Sequence, residues 1–580
     1  MAIPTKKGDA GNNTLDGAGG LYNLIGFAGD DIYKVDLKIT SAGSKYALED
    51  IIKESTGGGS DTVQLYAIST ILPNPSTLKL AANLENLDAS NTGSIPLNLT
   101  GNASNNILTG NDAANILDGG KGVDTLIGGS GNDIYIVDNK DDVVIETSPT
   151  DIDTVKLSAE LFNSDVTRDN SQLQNIENLI LIGTRHINGY GNELSNTIQG
   201  NTGNNQLYGG GGTETDTLMG GKGNDLYFVP LITKGTGNDV SAELQQDTIT
   251  EYANQGSADI LYPVVFNSLG KLAPLDPTVD LGLTTLTTLI IPANFERISL
   301  VYTGITTELK LLGNTANNVM WGNDTSNIID GGFGADTMLG RKGDDIYVVD
   351  NLRDKVYEAS NEGNDTVLVN IATADRSFTL SFDVENAILT NTVNFKLTGN
   401  ALDNELTGNA AANTLTGANG ADLLIGGLDK DTYNLKETVA ATDTVRIAEG
   451  DSLVGGFDVV KGFNLSNDKL DLASNNIAAN ATINHSGNDS GVIHSHHINN
   501  GIITFDDSDT YAAPLVINSA SIASAVAYLQ ANITGKETVA FTSGSNSYVY
   551  QDGDVHDTLV QLTGVNALSL ESTGLSEWVI

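Results

Sequence analysis

Residues Gly101–Asp138 read GNASNNILTGNDAANILDGGKGVDTLIGGSGNDIYIVD and divide into nines opening at Gly101, Gly110, Gly119 and Gly128. The last two nines, GGKGVDTLI and GGSGNDIYI, share the form G-G-x-G-x-D-x-U-x, where U is large and apolar. Glycine tolerates backbone conformations with φ > 0, so six residues can turn tightly. The turn leaves its carbonyl oxygens exposed, and the aspartate adds a carboxylate, a hard oxygen set that suits Ca²⁺. The last three residues predict a short strand that aims Leu126 or Tyr135 inward. One such match is weak; two in tandem, recurring in register elsewhere, are strong.

That tandem nonapeptide is the repeat of parallel β-rolls, and the chain here resembles the repeats-in-toxin (RTX) family of hemolysin-type calcium-binding repeat proteins. The resemblance covers most of the chain from Gly8 onward. It implies an all-β fold, a right-handed parallel β-roll or β-solenoid with calcium-binding turns and insertions, that folds on binding calcium. It also implies export by a type I secretion system.

Five related blocks follow one another, each marked by an aromatic after an acidic residue: Tyr33, Tyr135, Tyr227, Tyr347 and Tyr433, at intervals of 102, 92, 120 and 86 residues. A period near 100 is long for one solenoid coil, so each block must contain several coils. Nonapeptides of the form G-N-x-x-x-N-x-U-x come first, among them GNASNNILT, GNELSNTIQ, GNTANNVMW and GNALDNELT. Asn replaces Asp there, which predicts amides bonded within the turn stack and weaker or no calcium binding. The G-G-x-G-x-D units follow, then a strand-like D-T-V segment at Asp61, Asp153, Asp365 and Asp443, with QDTITE at Asp247. A second strand signal, with Glu85, Glu177, Glu296 or Glu385, ends most blocks. Apolar and polar residues alternate in both segments, as in half-buried strands.

The boundaries read as a degenerate first block over 1–100, blocks over 101–190, 191–312, 313–398 and 399–450, and a C-terminal capping and secretion domain over 451–580. Block three departs most. Its first calcium unit is stretched to GGGGTETDTLM, and residues 263–292 read as a Leu/Thr/Pro-rich lateral insertion. FDVVKGFNLSNDKLDL from Phe457 resembles the segment that ends many RTX rolls, and SYVYQDGDVHDTLVQLTGV resembles the RTX C-terminal domain. Between them, Ile522, Val526 and Leu529 have helical spacing, with serine at the N-cap.

The expected calcium ligands are Asp124 and Asp133, Asp216 and Asp225, Asp336 and Asp345, Asp422 and Asp431, with carbonyls of the turns carrying Gly120, Gly122, Gly129, Gly131, Gly221, Gly223, Gly332, Gly334, Gly343, Gly420 and Gly427. Adjacent nonapeptides occupy opposite edges of a roll, so ions are expected between every second turn. Some units are degenerate. Block one has Tyr22 where Asp is expected, leaving Asp31; Arg341 and Asp429 replace turn glycines. His485, His494, His496 and His497 invite a transition-metal reading, but the polar segment around them reads as an exposed loop.

Composition narrows the partners. The 580 residues carry 29 Lys and Arg against 73 Asp and Glu, a net charge of −44. Such a chain repels itself without counterions and lacks the basic surface that nucleic acid requires. Hydrophobic residues are 39% and aromatics 6%, which predicts a thin aliphatic core. With no cysteine, a secreted chain needs another staple, which calcium supplies. MAIPTKKGDAGNN has no apolar core of a signal peptide; the resemblance places the export signal at the C-terminus. No apolar run is long enough for a transmembrane helix.

Catalytic signatures are missing: there is no H-E-x-x-H, G-x-S-x-G or P-loop. The reading that follows is a secreted, calcium-dependent structural protein that assembles with copies of itself into a bacterial surface layer or filament, after passing the type I secretion machinery. Cell-surface polysaccharide is a candidate further partner. An adhesin that binds glycan through its insertions is the alternative. A groove-type polysaccharide-modifying enzyme is a third reading, disfavoured by scattered Lys and Arg.

Overall fold

A computed structural model describes residues 3–40, 45–68, 72–158, 174–210, 214–236, 239–244, 247–250, 259–264, 287–291, 295–300, 308–474, 476–484, 488–572 and 577–579. They form two compact units, one of residues 1–287 and 291–305, the other of 288–290 and 306–580. Both are parallel β-solenoids. Most of the 263–292 insertion lies outside the described residues.

The nonapeptide becomes half a coil. Six residues turn and three form a strand, as at Ile107–Thr109, Ile116–Asp118 and Thr125–Ile127. Successive strands go to opposite sheets, so each pairs with the next strand but one. Ile107 aligns with Thr125 and Ile116 with Ile134, an offset of two nonapeptides. Only the middle residue of each strand points inward: Leu108, Leu117, Leu126 and Tyr135 are all fully buried. A three-residue strand has no stability alone; stacking buries each inward leucine, worth roughly 1.5–3 kcal/mol. The thin core expected from composition is these single files of side chains.

In the first unit, parallel partners run from Ser76–Lys79 through Leu97–Thr100 and Ile134–Val137 to Thr217–Met219 and Thr248–Thr250 on one face. The facing sheet includes Thr14–Asp16, Thr62–Tyr66 and Thr125–Ile127. The second unit repeats the plan, with Asn327–Asp330, Ile346–Val349 and Thr366–Val369 stacked in register. Insertions leave the roll as antiparallel hairpins. Ile32–Ile39 pairs with Tyr46–Leu48, and Leu226–Thr236 with Asp239–Leu244.

After the last coil the topology changes. Asp458–Lys461 pairs in parallel with Thr558–Thr563, which belongs to an antiparallel meander with Asn546–Gln551 and Glu537–Ser543. The meander thus covers a strand edge of the roll. Helix α1, Ile522–Asn532, buries Ala525, Val526, Tyr528 and Leu529 against it. Phe541 stacks on Tyr548 at 5.2 Å between ring centroids. The expected helix is present with serine at its N-cap, though the cap is made differently from a simple side-chain bond. Ser521 at the N-cap makes no side-chain cap bond. Its hydroxyl accepts instead from the Asn518 N–H at 2.9 Å, while the Asn518 side chain accepts from Ala520 N–H at 2.9 Å. Among the described residues, no helix is long and apolar enough to cross a membrane.

The histidine segment is also a correction. Ser495–Asn499 is a strand, not a loop. His496 is buried beside the Tyr528 hydroxyl at 3.0 Å, and burial pushes its pKa down to about 4. His497 faces Thr482 and His494 faces Asp509, so the three rings do not converge. His485 lies outside the described residues.

Candidate metal centres

Each sixth-position aspartate holds two coils together with one oxygen. Asn106 N–H donates to Asp124 Oδ1 at 2.7 Å and Asn115 N–H to Asp133 Oδ1 at 2.6 Å. The same bond recurs at Asp216, Asp225, Asp336, Asp345, Asp422 and Asp431, and at Asp31 from Asn13. The other oxygen is left over. Oδ2 of Asp31, Asp124, Asp133, Asp225, Asp336, Asp345, Asp422 and Asp431 is buried and accepts no hydrogen bond. A buried ionised oxygen without a partner is costly. Burial accordingly raises these carboxyls, to about 6 for Asp124, about 7 for Asp225, Asp336 and Asp422, and about 8 for Asp133, Asp345 and Asp431.

The turn glycines complete the cradle. All of Gly120, Gly122, Gly129, Gly131, Gly221, Gly223, Gly332, Gly334, Gly343, Gly420 and Gly427 have φ between +74° and +150°. At Gly129 a Cβ would lie 2.6 Å from the Asn111 carbonyl oxygen, in the turn stacked directly beneath it. Turn backbones therefore stack closely, and a Cβ at Gly119 or Gly128 would lie 2.2 Å from the unpartnered Oδ2 of Asp124 or Asp133. Hard oxygens with net negative charge fit a calcium ion. The degenerate units keep the geometry at a strain cost: Phe27, Arg341, Ala418 and Asp429 all have φ from +73° to +94° without being glycine.

Asparagine coils replace charge with amide bonds. Asn115 Oδ1 accepts from Asn111 N–H at 2.8 Å, while its Nδ2 donates to Leu97 O at 2.7 Å. The amides thus bond within the stack, as expected from their sequence.

Further carboxylates were missed by the motif. Asp124 N–H donates to Asp142 Oδ1, Asp336 N–H to Asp354, Asp133 N–H to Asp153, Asp345 N–H to Asp365 and Asp225 N–H to Asp259. In block one, Tyr22 N–H donates to Asp50 Oδ1, so the coil after the missing aspartate supplies one. The D-T-V aspartates are in effect sixth-position residues of the next coil. Their signal is placement one residue before a strand, as in the nonapeptide. Asp247 and Asp443 group instead with Asp142 and Asp354, since they accept from the first calcium-unit aspartates of their blocks, Asp216 and Asp422, each at 3.0 Å. The same bond closes across 18 residues at Asn106–Asp124, 20 at Asp133–Asp153, 27 at Asp431–Asp458, 30 at Asp31–Asp61 and 34 at Asp225–Asp259.

Fold and turns together define a β-solenoid built from calcium-binding repeats. The model of the RTX calcium-binding nonapeptide repeat matches four times, at residues 100–135, 190–227, 312–347 and 398–433. Four stretches of the chain are thus RTX calcium-binding nonapeptide repeats, and calcium is the ion that such repeats bind. It is also similar to an endo-1,3-1,4-beta-glycanase of Rhizobium meliloti (strain 1021), at 35% identity over 91 residues. That stretch is 16% of this chain, and the match spans only 17% of the glycanase.

Proposed function

We propose that the chain is a secreted structural protein that folds on meeting calcium and assembles with copies of itself into a surface layer or extracellular filament. The observation that carries the proposal is the row of buried carboxylate oxygens without partners, repeated block after block. Extracellular calcium modules bind in the range of ~10⁻⁴–10⁻³ M, well above cytosolic calcium. Inside a cell the carboxylates repel and the chain stays open for export; outside, ion binding becomes folding energy. Repeats fill most of the chain, which suits a building block better than a carrier of one catalytic domain.

Negative-stain electron microscopy in chelator and then in millimolar calcium tests the assembly. Ordered sheets or filaments are expected only with calcium; dispersed particles at every calcium concentration would remove the assembly reading. The partial glycanase match favours a second reading, contact with extracellular glycan by an adhesin, and glycan binding by dispersed particles would select it. We assign the export signal to the region after Asp451. A chain truncated there is expected to remain inside the producing cell, and its continued appearance in the medium would overturn the assignment.

A further inference from the structure

Within block two, two aspartates of the coil stack meet a glutamate from outside the nonapeptides. Asp133, Glu146 and Asp153 each bring a carboxylate oxygen within 4.8 Å of the others. Both aspartates are fully buried and Glu146 is 7% exposed. Each carboxylate is fixed by bonds on its outer side. Asp133 Oδ1 takes the Asn115 N–H at 2.6 Å, and Asp153 Oδ1 takes the Asp133 N–H at 2.7 Å. Glu146 Oε1 accepts from Thr147 and Ser148 N–H at 2.7 and 2.8 Å, and Oε2 from the Tyr135 hydroxyl at 2.6 Å. What remains faces inward: Oδ2 of Asp133 and of Asp153 are buried and unpartnered.

The same cluster recurs in two other blocks. In block four it is Asp345, Glu358 and Asp365, with the Tyr347 hydroxyl donating to Glu358 and both Asp345 Oδ2 and Glu358 Oε2 unpartnered. In block one it is Asp31, Glu54 and Asp61, with Tyr33 donating to Glu54 and both aspartate Oδ2 atoms unpartnered. A Cβ added to Gly26 would collide with Asp31 Oδ2, the Tyr33 hydroxyl and Glu54 Oε2 together, so these three atoms converge on one space. Glutamate follows tyrosine by 11 residues in blocks two and four and by 21 in block one, where the Ile32–Ile39 hairpin intervenes. In all three it comes directly after a short strand: Ile51–Lys53, Val143–Ile145 or Lys355–Tyr357. The corresponding residue of block three, Glu251 after Thr248–Thr250, lies outside the described residues.

We propose that these three clusters are a second class of calcium site, a three-carboxylate cage beneath a tyrosine hydroxyl, one in each of blocks one, two and four. The cage differs from a turn site in its ligand source. A turn site draws on stacked nonapeptides, whereas the cage takes its third carboxylate from a glutamate beyond the repeat. Three clustered carboxylates are relieved either by protons or by a cation, and oxygen-only donors select a hard cation. The tyrosine spends its proton on the glutamate and leaves the inward oxygens to the ion.

The proposal rests on the calcium-roll reading, and the test separates the two. Bound calcium is counted by native mass spectrometry of the full chain: wild type, the triple variant Glu54→Gln/Glu146→Gln/Glu358→Gln, and Asp124→Asn as a turn-site control. Glutamine keeps the shape and can still accept from tyrosine. The triple variant is expected to lose three ions, one for each cage, while Asp124→Asn loses turn calcium and keeps the cages. An unchanged count in the triple variant, with turn calcium still lost in Asp124→Asn, would overturn the cage and leave the roll intact. A wild type without calcium would overturn the roll itself, and the cage with it. If the triple variant fails to fold, the three single variants decide: one ion lost from each supports the cage, and full counts refute it.

Discussion

In chelator at pH 8 the chain is expected to lose its β-sheet circular dichroism, and millimolar calcium is expected to restore it. Two terms drive the loss. The net charge of −44 repels along the whole chain, and the roll forces carboxylates such as Asp133, Asp345 and Asp431 into burial with one oxygen unpaired. Calcium offsets both, and each tenfold rise in free ion above its affinity adds about 1.4 kcal/mol per site.

Acid should partly replace the ion. Burial raises Asp133, Asp345 and Asp431 to about 8, while an unfolded aspartate titrates near 3.9. Between those values the calcium-free roll holds protons that the unfolded chain has released. Its stability therefore rises as pH falls from about 8 towards about 4, and is lost as pH rises. Some β signal is expected to return in chelator near pH 4.5. Calcium affinity should move the other way, weakening on acidification through the same window because protons compete for the same oxygens. Circular dichroism titrations at several pH values check both signs. A β signal in chelator that is unchanged at pH 8 would sink the linkage between ion and fold.

The second large effect is expected from Gly129→Val. Gly129 has φ +108°, and its missing Cβ faces the Asn111 carbonyl oxygen at 2.6 Å. A left-handed conformation costs a side chain about 1–2 kcal/mol. The collision adds to this, because the obstacle is backbone and cannot rotate away. Relief requires parting two turns, which also parts their carbonyls and the carboxylates beside them. The summed loss should exceed the backbone term alone, on the order of 2 kcal/mol or more, with a higher calcium concentration needed for folding. Arg341→Gly should act in the opposite direction. Arg341 already sits at φ +85°, and its ion pair with Asp324, 2.9 Å at the surface, is worth only ~0–1 kcal/mol. Relief of strain outweighs that loss, so melting in calcium should rise slightly. Equal melting of Gly129→Val and wild type would refute the stacked-turn account.

Much of the roll is legible in nine-residue arithmetic because its determinants are local. Glycine sets the turn, the next apolar residue sets the inward file, and two nonapeptides return the chain to the same edge. Leu126 and Tyr135 were readable inside this way, and so were the turns that stack. The cage was not legible. Glu146 and Glu54 reach equivalent places from spacings of 11 and 21 residues, and only a folded loop makes them equivalent. Their one local signal is a glutamate closing a glycine-free strand, DIIKE at Asp50 and DVVIE at Asp142, which the nonapeptide does not contain. Asp50 stands in for the aspartate missing at Tyr22 from 28 residues away. The His494–His497 segment misled because its polar composition conceals a strand whose buried face is His496 beneath Tyr528.

One bond, backbone N–H to the carboxylate of the next coil, closes equally over 18, 20, 27, 30 or 34 residues. What lies between two coils is invisible to the joint that binds them. Length is then a free variable of this architecture: a gene can gain or lose the codons of one whole coil, or accept a foreign segment at a coil's edge, and the neighbouring coils meet as before. Novelty can accumulate in the excursions while the joints stay under constraint.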